Sequence, residues 1–130
     1  MSRVLGERRG RRSTRHPCEA GWRVNWAPEF RRAAQALGIW EDVRRELKDL
    51  ERQLRDPKLR GKALAKLRRS PIVVEVYVKK LRKWYPARRY YFGRQTARGF
   101  YVLREDICRV WFVHLAPRTN GTYKTKRRRG

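Results

Sequence analysis

Outside its arginines and lysines, this sequence offers few side chains that could do chemistry. Two cysteines, Cys18 and Cys108, and two histidines, His16 and His114, are its only thiol and imidazole groups. A structural zinc site needs four such ligands at short spacings, usually with a Cys-x-x-Cys pair among them. His16 and Cys18 lie close together but have no third or fourth partner in the sequence. Both thiols therefore read as ordinary reduced residues, and neither a metal nor another cofactor is expected.

The abundant chemistry is cationic. The chain holds 36 Lys and Arg against 12 Asp and Glu, a formal net charge of +24 over 130 residues. A compact domain carrying this charge repels itself, and a polyanion is the partner that offsets the repulsion. Nucleic acid fits best. An anionic membrane surface is the other polyanion such a charge could meet, but no apolar run approaches the roughly 18 residues of a spanning helix, and no membrane partner is expected. The basic N-terminus lacks the apolar stretch of a secretory signal, and the expected location is the cytoplasm. Amides and cysteines are few while Arg and Glu are many, which leans toward a thermophilic source.

The charge is unevenly distributed. Residues 1–16 carry a net +5 and residues 118–130 a net +6, and neither segment has apolar periodicity with which to fold alone. From Lys58 through Arg104 there are 15 basic residues and one acid, Glu75. That exceeds what solubility requires of a surface. Aromatic residues interleave with these cations (Trp84, Tyr85, Tyr90, Tyr91, Phe92, Phe100, Tyr101). About half must form core; the rest could stack on splayed bases, each worth ~1–3 kcal/mol. The candidate RNA contacts are Arg8, Arg9, Arg11, Arg12 and Arg15 before the domain, and Lys79, Lys80, Arg82, Lys83, Arg88, Arg89, Arg94 and Arg98 within it. Arg118, Lys124, Lys126, Arg127, Arg128 and Arg129 complete them at the C-terminus.

The elements that must position these groups follow from periodicity and breakers. Trp22 to Trp26 alternates as a short strand, and Pro28 opens a helix with Phe30, Ala33, Ala34 and Leu37 on one face, ended by Gly38. Trp40, Val43, Leu47, Leu50 and Leu54 form the apolar seam of a second helix, which also holds most of six acids between Glu41 and Asp56. Asp56-Pro57 caps a third short helix bearing Leu64 and Leu67. Four strands follow, at Ile72 to Val78, Arg88 to Phe92, Arg98 to Arg104 and Ile107 to Leu115, with a tight turn at Glu105 and Asp106. The last strand is apolar on both faces, as a strand covered on both sides would be. The sum predicts an α+β domain at residues 22–117, an antiparallel sheet with helices on one face, between basic extensions at 1–21 and 118–130.

Three segments resemble the RelE/ParE toxin superfamily. "WRVNWAPEFRRAAQALG" is similar to its opening strand and helix, and "DPKLRGKALAKL" to the segment after its helical hairpin. "RGFYVLREDICRVWFVHLAPRTNGTYK" is similar to its last two strands and basic, Tyr-containing end. The similarity spans roughly residues 22–124, though "PIVVEVYVKKLRKWYP" is longer than the family's second-strand region and the Arg-rich tails are additional. The resemblance implies a RelE-like fold. In family members that cut messenger RNA on the ribosome, Arg, Lys and Tyr assist in-line attack of a ribose 2′-hydroxyl on the adjacent phosphate and stabilise the developing charge. Carried over by motif, Arg98, Arg118 and Tyr123 would be the catalytic residues if this chain were a toxin, with Lys79, Lys80 and Lys83 near the family's basic strand.

Fold alone does not choose a function. The preferred expectation is a non-catalytic, rRNA-binding ribosomal or ribosome-associated protein, because long basic extensions thread between RNA helices and would burden a toxin held by an antitoxin. The alternative is a ribosome-dependent mRNA endoribonuclease with an antitoxin partner. A DNA-compacting or gyrase-directed protein is the third.

Overall fold

The computed structural model describes residues 16–79, 81–93 and 96–117. A 3-10 turn at Pro17–Ala20 leads into β1, Arg23–Trp26. Three helices follow: α1 at Pro28–Ala36, α2 at Trp40–Arg55 and α3 at Arg60–Arg69. Then come β2 at Ile72–Val78, β3 at Lys83–Phe92, β4 at Ala97–Arg104, a second 3-10 turn at Glu105–Ile107, and β5 at Arg109–Pro117.

Local chemistry accounts for the helix boundaries. Pro28 occupies the first turn of α1, where its missing N–H costs no helical bond. Beyond the helix Gly38 takes φ +73°, a left-handed conformation that a side chain would strain. α2 ends at Asp56, whose Oδ1 accepts the Lys58 N–H at 2.8 Å while its carbonyl accepts from Leu59 and Arg60. The Asp56-Pro57 step thus forms a turn that starts α3 four residues later. Arg60 reaches back to donate to the Leu54 carbonyl at 2.7 Å, satisfying one of the last groups of α2.

The five strands form one sheet in the order β1-β5-β4-β3-β2. It is mixed rather than antiparallel, because β1 runs parallel to β5 while the other pairs are antiparallel. The two cysteines show why. Cys18 and Cys108 are disulfide-bonded with Cα atoms 5.0 Å apart, across 90 residues of chain, which corrects the expectation of two reduced thiols. Cys18 precedes β1 and Cys108 immediately precedes β5, so the bond starts both strands at the same end. The Arg23 N–H donates to the Cys108 carbonyl at 3.1 Å, continuing the alignment. The link also ties the Pro17–Ala20 turn to the start of β5.

The helices pack on one face of the sheet, α1 across β5 and α2 along β1 and α3. Trp40, Val43, Leu47, Leu50 and Leu54 are all buried there, as the seam predicts. Phe30 lies between Phe92 and Phe112, at 5.9 and 5.4 Å between ring centroids, and Tyr90 and Tyr101 close the aromatic cluster. Gly99 leaves room for this: a Cβ there would sit 2.6 Å from the Phe92 ring. The Tyr101 hydroxyl donates to the Leu67 carbonyl at 2.7 Å, tying β4 to the end of α3. Two α2 carboxylates bond the sheet's backbone: Glu51 accepts the Val24 N–H of edge strand β1, and Glu46 the Gly93 N–H at the β3–β4 turn, each at 2.9 Å.

Among the described residues, the far face of the sheet carries no helix. Ala87, Phe100 and Val102 are buried there, and Trp111 and Val113 pack half-buried against them. The both-sided apolar character of β5 therefore reflects helices on one side and this smaller cluster on the other. A register shift opposite Phe100 and Tyr101 adds a residue to β5. It turns His114 to the far face, where its ring stacks on Phe100 at 5.7 Å and 9°.

Two stability outcomes follow. Leu47→Ala, at a position only 1 % exposed, should cost ~2–5 kcal/mol in urea unfolding. Leu37→Ala, at 40 % exposure, should stay within about 0.5 kcal/mol. Equal losses would show that the α2 seam does not form the core. Reducing the disulfide should cost about 4 kcal/mol, given the chain entropy released by opening a loop of this length. A melting curve unchanged by thiol reductant would refute that.

Candidate nucleic-acid interface

The acidic residues are largely consumed by the helix layer. Along α2, Glu41 pairs with Arg44, Asp42 with Arg45 and Asp49 with Arg52, each three residues apart, while Glu46 and Glu51 bond sheet amides. The Arg52 and Gln53 side chains on Asp49 hold its carboxyl below the usual value of 3.8. The α2 surface, with five acids against five cations, is electrically balanced.

The β2–β3 hairpin is the opposite case. Lys79, Arg82 and Lys83 are exposed at and beside its turn, which closes through Leu81 N–H to the Val78 carbonyl at 3.0 Å and Arg82 N–H to the Lys79 carbonyl at 3.2 Å. Among the described residues no carboxylate pairs with these three cations. Lys83 leans over the Tyr85 ring at 6.0 Å, and Arg104 lies over the same ring at 5.2 Å. Asp106 accepts from Arg104 Nε and Nη2 at 3.0 and 2.9 Å, fixing the guanidinium over the Tyr85 ring.

The hairpin also extends beyond the helix layer. On its helix-side face Tyr77 and Trp84 oppose each other across the ladder, with centroids 5.4 Å and planes 60° apart. They are 40 % and 46 % exposed. On the far face of the sheet, the Arg89 guanidinium lies 5.1 Å over Tyr91, beside the Phe100–His114 stack.

The sequence-derived candidates divide accordingly. Lys79, Arg82 and Lys83 come together on the hairpin, and Arg89 lies half-buried on the far face. Arg88 turns to the helix side, where its Nη1 donates to the Ser70 carbonyl at 2.6 Å and Ser70 Oγ in turn donates to the Arg89 carbonyl. It is a structural cation. Arg98 sits opposite Tyr91 on β4 and is only 3 % exposed, with its Nε and Nη1 buried. A buried guanidinium is not an outward phosphate contact. Lys80 and Arg94 lie outside the described residues, as do Arg118 and Tyr123 and the tail cations Arg8, Arg9, Arg11, Arg12, Arg15, Lys124, Lys126, Arg127, Arg128 and Arg129. Burial pushes both Tyr90 and Tyr101 up to about 12, so both remain neutral phenols and neither supplies a phenolate base.

Tyr77 and Arg104 were not singled out by the sequence. A strand register of Tyr77 against Trp84 could have found the first, but bulges and turns set that register. His16, beside Cys18, accepts the Cys18 N–H on Nδ1 at 3.0 Å and so caps the first turn. Comparison with protein-family models, curated proteins and solved structures finds no match for this chain.

Arg68 joins α3 to the β4–β5 turn through a two-pronged bond to Glu105, at 2.7 and 2.9 Å. It holds the Glu105 carboxyl below its ordinary 4.5, and Arg104 holds Asp106 below its ordinary 3.8. Both carboxylates are favoured in the folded state. The stability they contribute is complete above those ordinary values and lost as pH falls through the lowered ones. Glu105→Gln with Asp106→Asn should therefore flatten the acid limb of a stability–pH curve below about pH 4.5. Parallel limbs for both proteins would show that the turn does not depend on these pairs.

Proposed function

We propose that this chain is an rRNA-binding ribosomal or ribosome-associated protein, built on a RelE-like core and acting in the cytoplasm. The observation that carries the reading is the division of charge. Acids are spent inside the helix layer, while Lys79, Arg82 and Lys83 stand exposed on a projecting hairpin in a chain of net charge +24. The basic sequences at both ends add to the same electrostatic footprint. Element order supports the RelE-like reading of the core: one strand, then helices, then a run of antiparallel strands. Arg98, buried at 3 % exposure, lends no support to an endoribonuclease that would use it against a scissile phosphate. The disulfide accords with a cytoplasmic location in a hyperthermophile, where intracellular disulfides persist, and the amide-poor composition leans the same way.

Binding to structured RNA should be steeply salt-dependent. Contact with on the order of ten phosphates gives a log–log slope near −7 to −9. Replacing Lys79, Arg82 and Lys83 together by Ala should make the slope shallower by about two to three. A wild-type slope shallower than about −3 would defeat the reading. An unchanged slope in the triple variant would remove the hairpin from the interface. Failure to co-sediment stoichiometrically with ribosomes would leave RNA binding without its ribosomal setting.

A further inference from the structure

The two edges of the sheet are built differently. β1 is guarded by α2: Glu51 accepts the Val24 N–H and Arg55 Nε donates to the Trp22 carbonyl, each at 2.9 Å. Those bonds occupy backbone groups that another strand would need. β2 forms the opposite edge, and among the described residues no side chain bonds to its backbone and no strand lies beyond it. Exposed edges are normally blunted by lysine, proline or a bulge, because their open amides and carbonyls pair readily with another chain. The sequence of β2, Ile-Val-Val-Glu-Val-Tyr-Val, has neither lysine nor proline, and its register shift is confined to Ile72–Val74. Residues 74–78 are a regular and unprotected segment.

The same segment complements itself. Val74, Val76 and Val78 face the far side of the sheet, while Glu75 and Tyr77 lie exposed on the helix side with Lys79 next in their row. An antiparallel pair centred on Val76 sets Val76 against its own copy, Val74 against Val78 and Glu75 against Tyr77. Each Glu75 then has the other copy's Lys79 as a diagonal neighbour, two attractive pairs against the single repulsive one between the carboxylates. Centring on Glu75 would instead set the carboxylates directly opposite each other. The hairpin turns fall at opposite ends of the joint, on the order of 40 Å apart at about 3.3 Å per residue, several screening lengths at physiological salt. Their cations therefore do not oppose the pairing. We propose that β2 is an assembly edge, at which residues 74–78 of two copies pair antiparallel about Val76 and join two five-stranded sheets into one. The inference goes beyond RNA binding and does not rest on it.

The test is the mass of the full, nucleic-acid-free chain by sedimentation velocity, from low to high micromolar concentration at physiological salt. So short a joint belongs to the small, weak class of interfaces, and a concentration-dependent dimer is expected. Glu75→Lys and Lys79→Glu should each weaken it roughly 10-fold, because every diagonal pair becomes repulsive, and the combined swap should restore it. Amide exchange at residues 74–78 should slow as the dimer forms. A chain that is monomeric throughout would overturn the proposal and leave the edge to a strand of another protein. A dimer indifferent to both single changes, or a swap no tighter than either of them, would overturn it as well. No RNA enters these measurements, so their failure leaves RNA binding untouched, and failure of RNA binding leaves the dimer untouched.

Discussion

Self-repulsion among 36 lysines and arginines is the constraint around which this chain is arranged, with only 12 carboxylates to oppose it. The carboxylates are concentrated rather than scattered. Those on α2 sit three residues from an arginine or against a backbone amide of the sheet, so the helix layer can dock without adding charge to the core. Exposed pairs of this kind contribute little individually. Their value lies in where they leave the remaining charge, which is displaced toward the hairpin. Glu105 and Asp106 do the same at the β4–β5 turn, where one braces α3 and the other holds Arg104 over Tyr85.

The aromatic residues follow a parallel division. Phe30, Tyr90, Phe92, Tyr101 and Phe112 fill the space between sheet and helices, with Gly99 admitting Phe92. Tyr85 serves as a platform for Lys83 and Arg104. Tyr77 and Trp84 pair with each other on the hairpin, at 40 % and 46 % exposure. One residue class thus serves as core, as support for cations and as a half-exposed pair on the hairpin. Position relative to the edge of the helix layer decides among these roles.

Much of this is readable along the chain. The α2 seam, the Pro28 start of α1, the Gly38 stop and the span of β2 each depend on residues within a few positions of one another, where periodicity and backbone preference act directly. The excess of cations from Lys58 to Arg104 is likewise a property of composition, and it points to a polyanion without any fold.

What lay beyond the sequence is what depends on separation in space. Cys18 and Cys108 look isolated at 90 residues apart, and only the fold brings their Cα atoms to 5.0 Å. With them comes the parallel pairing of β1 and β5, whose direction no local pattern encodes. Arg88 and Arg98 are indistinguishable from Arg82 as letters, yet strand pleat turns Arg88 to the helix side and tertiary packing buries Arg98 on β4, while Arg82 stays in water. Local preference acts over a turn or a strand, whereas burial depends on which elements end up stacked on each other. That stacking separates a cation that braces the fold from one that can meet a phosphate.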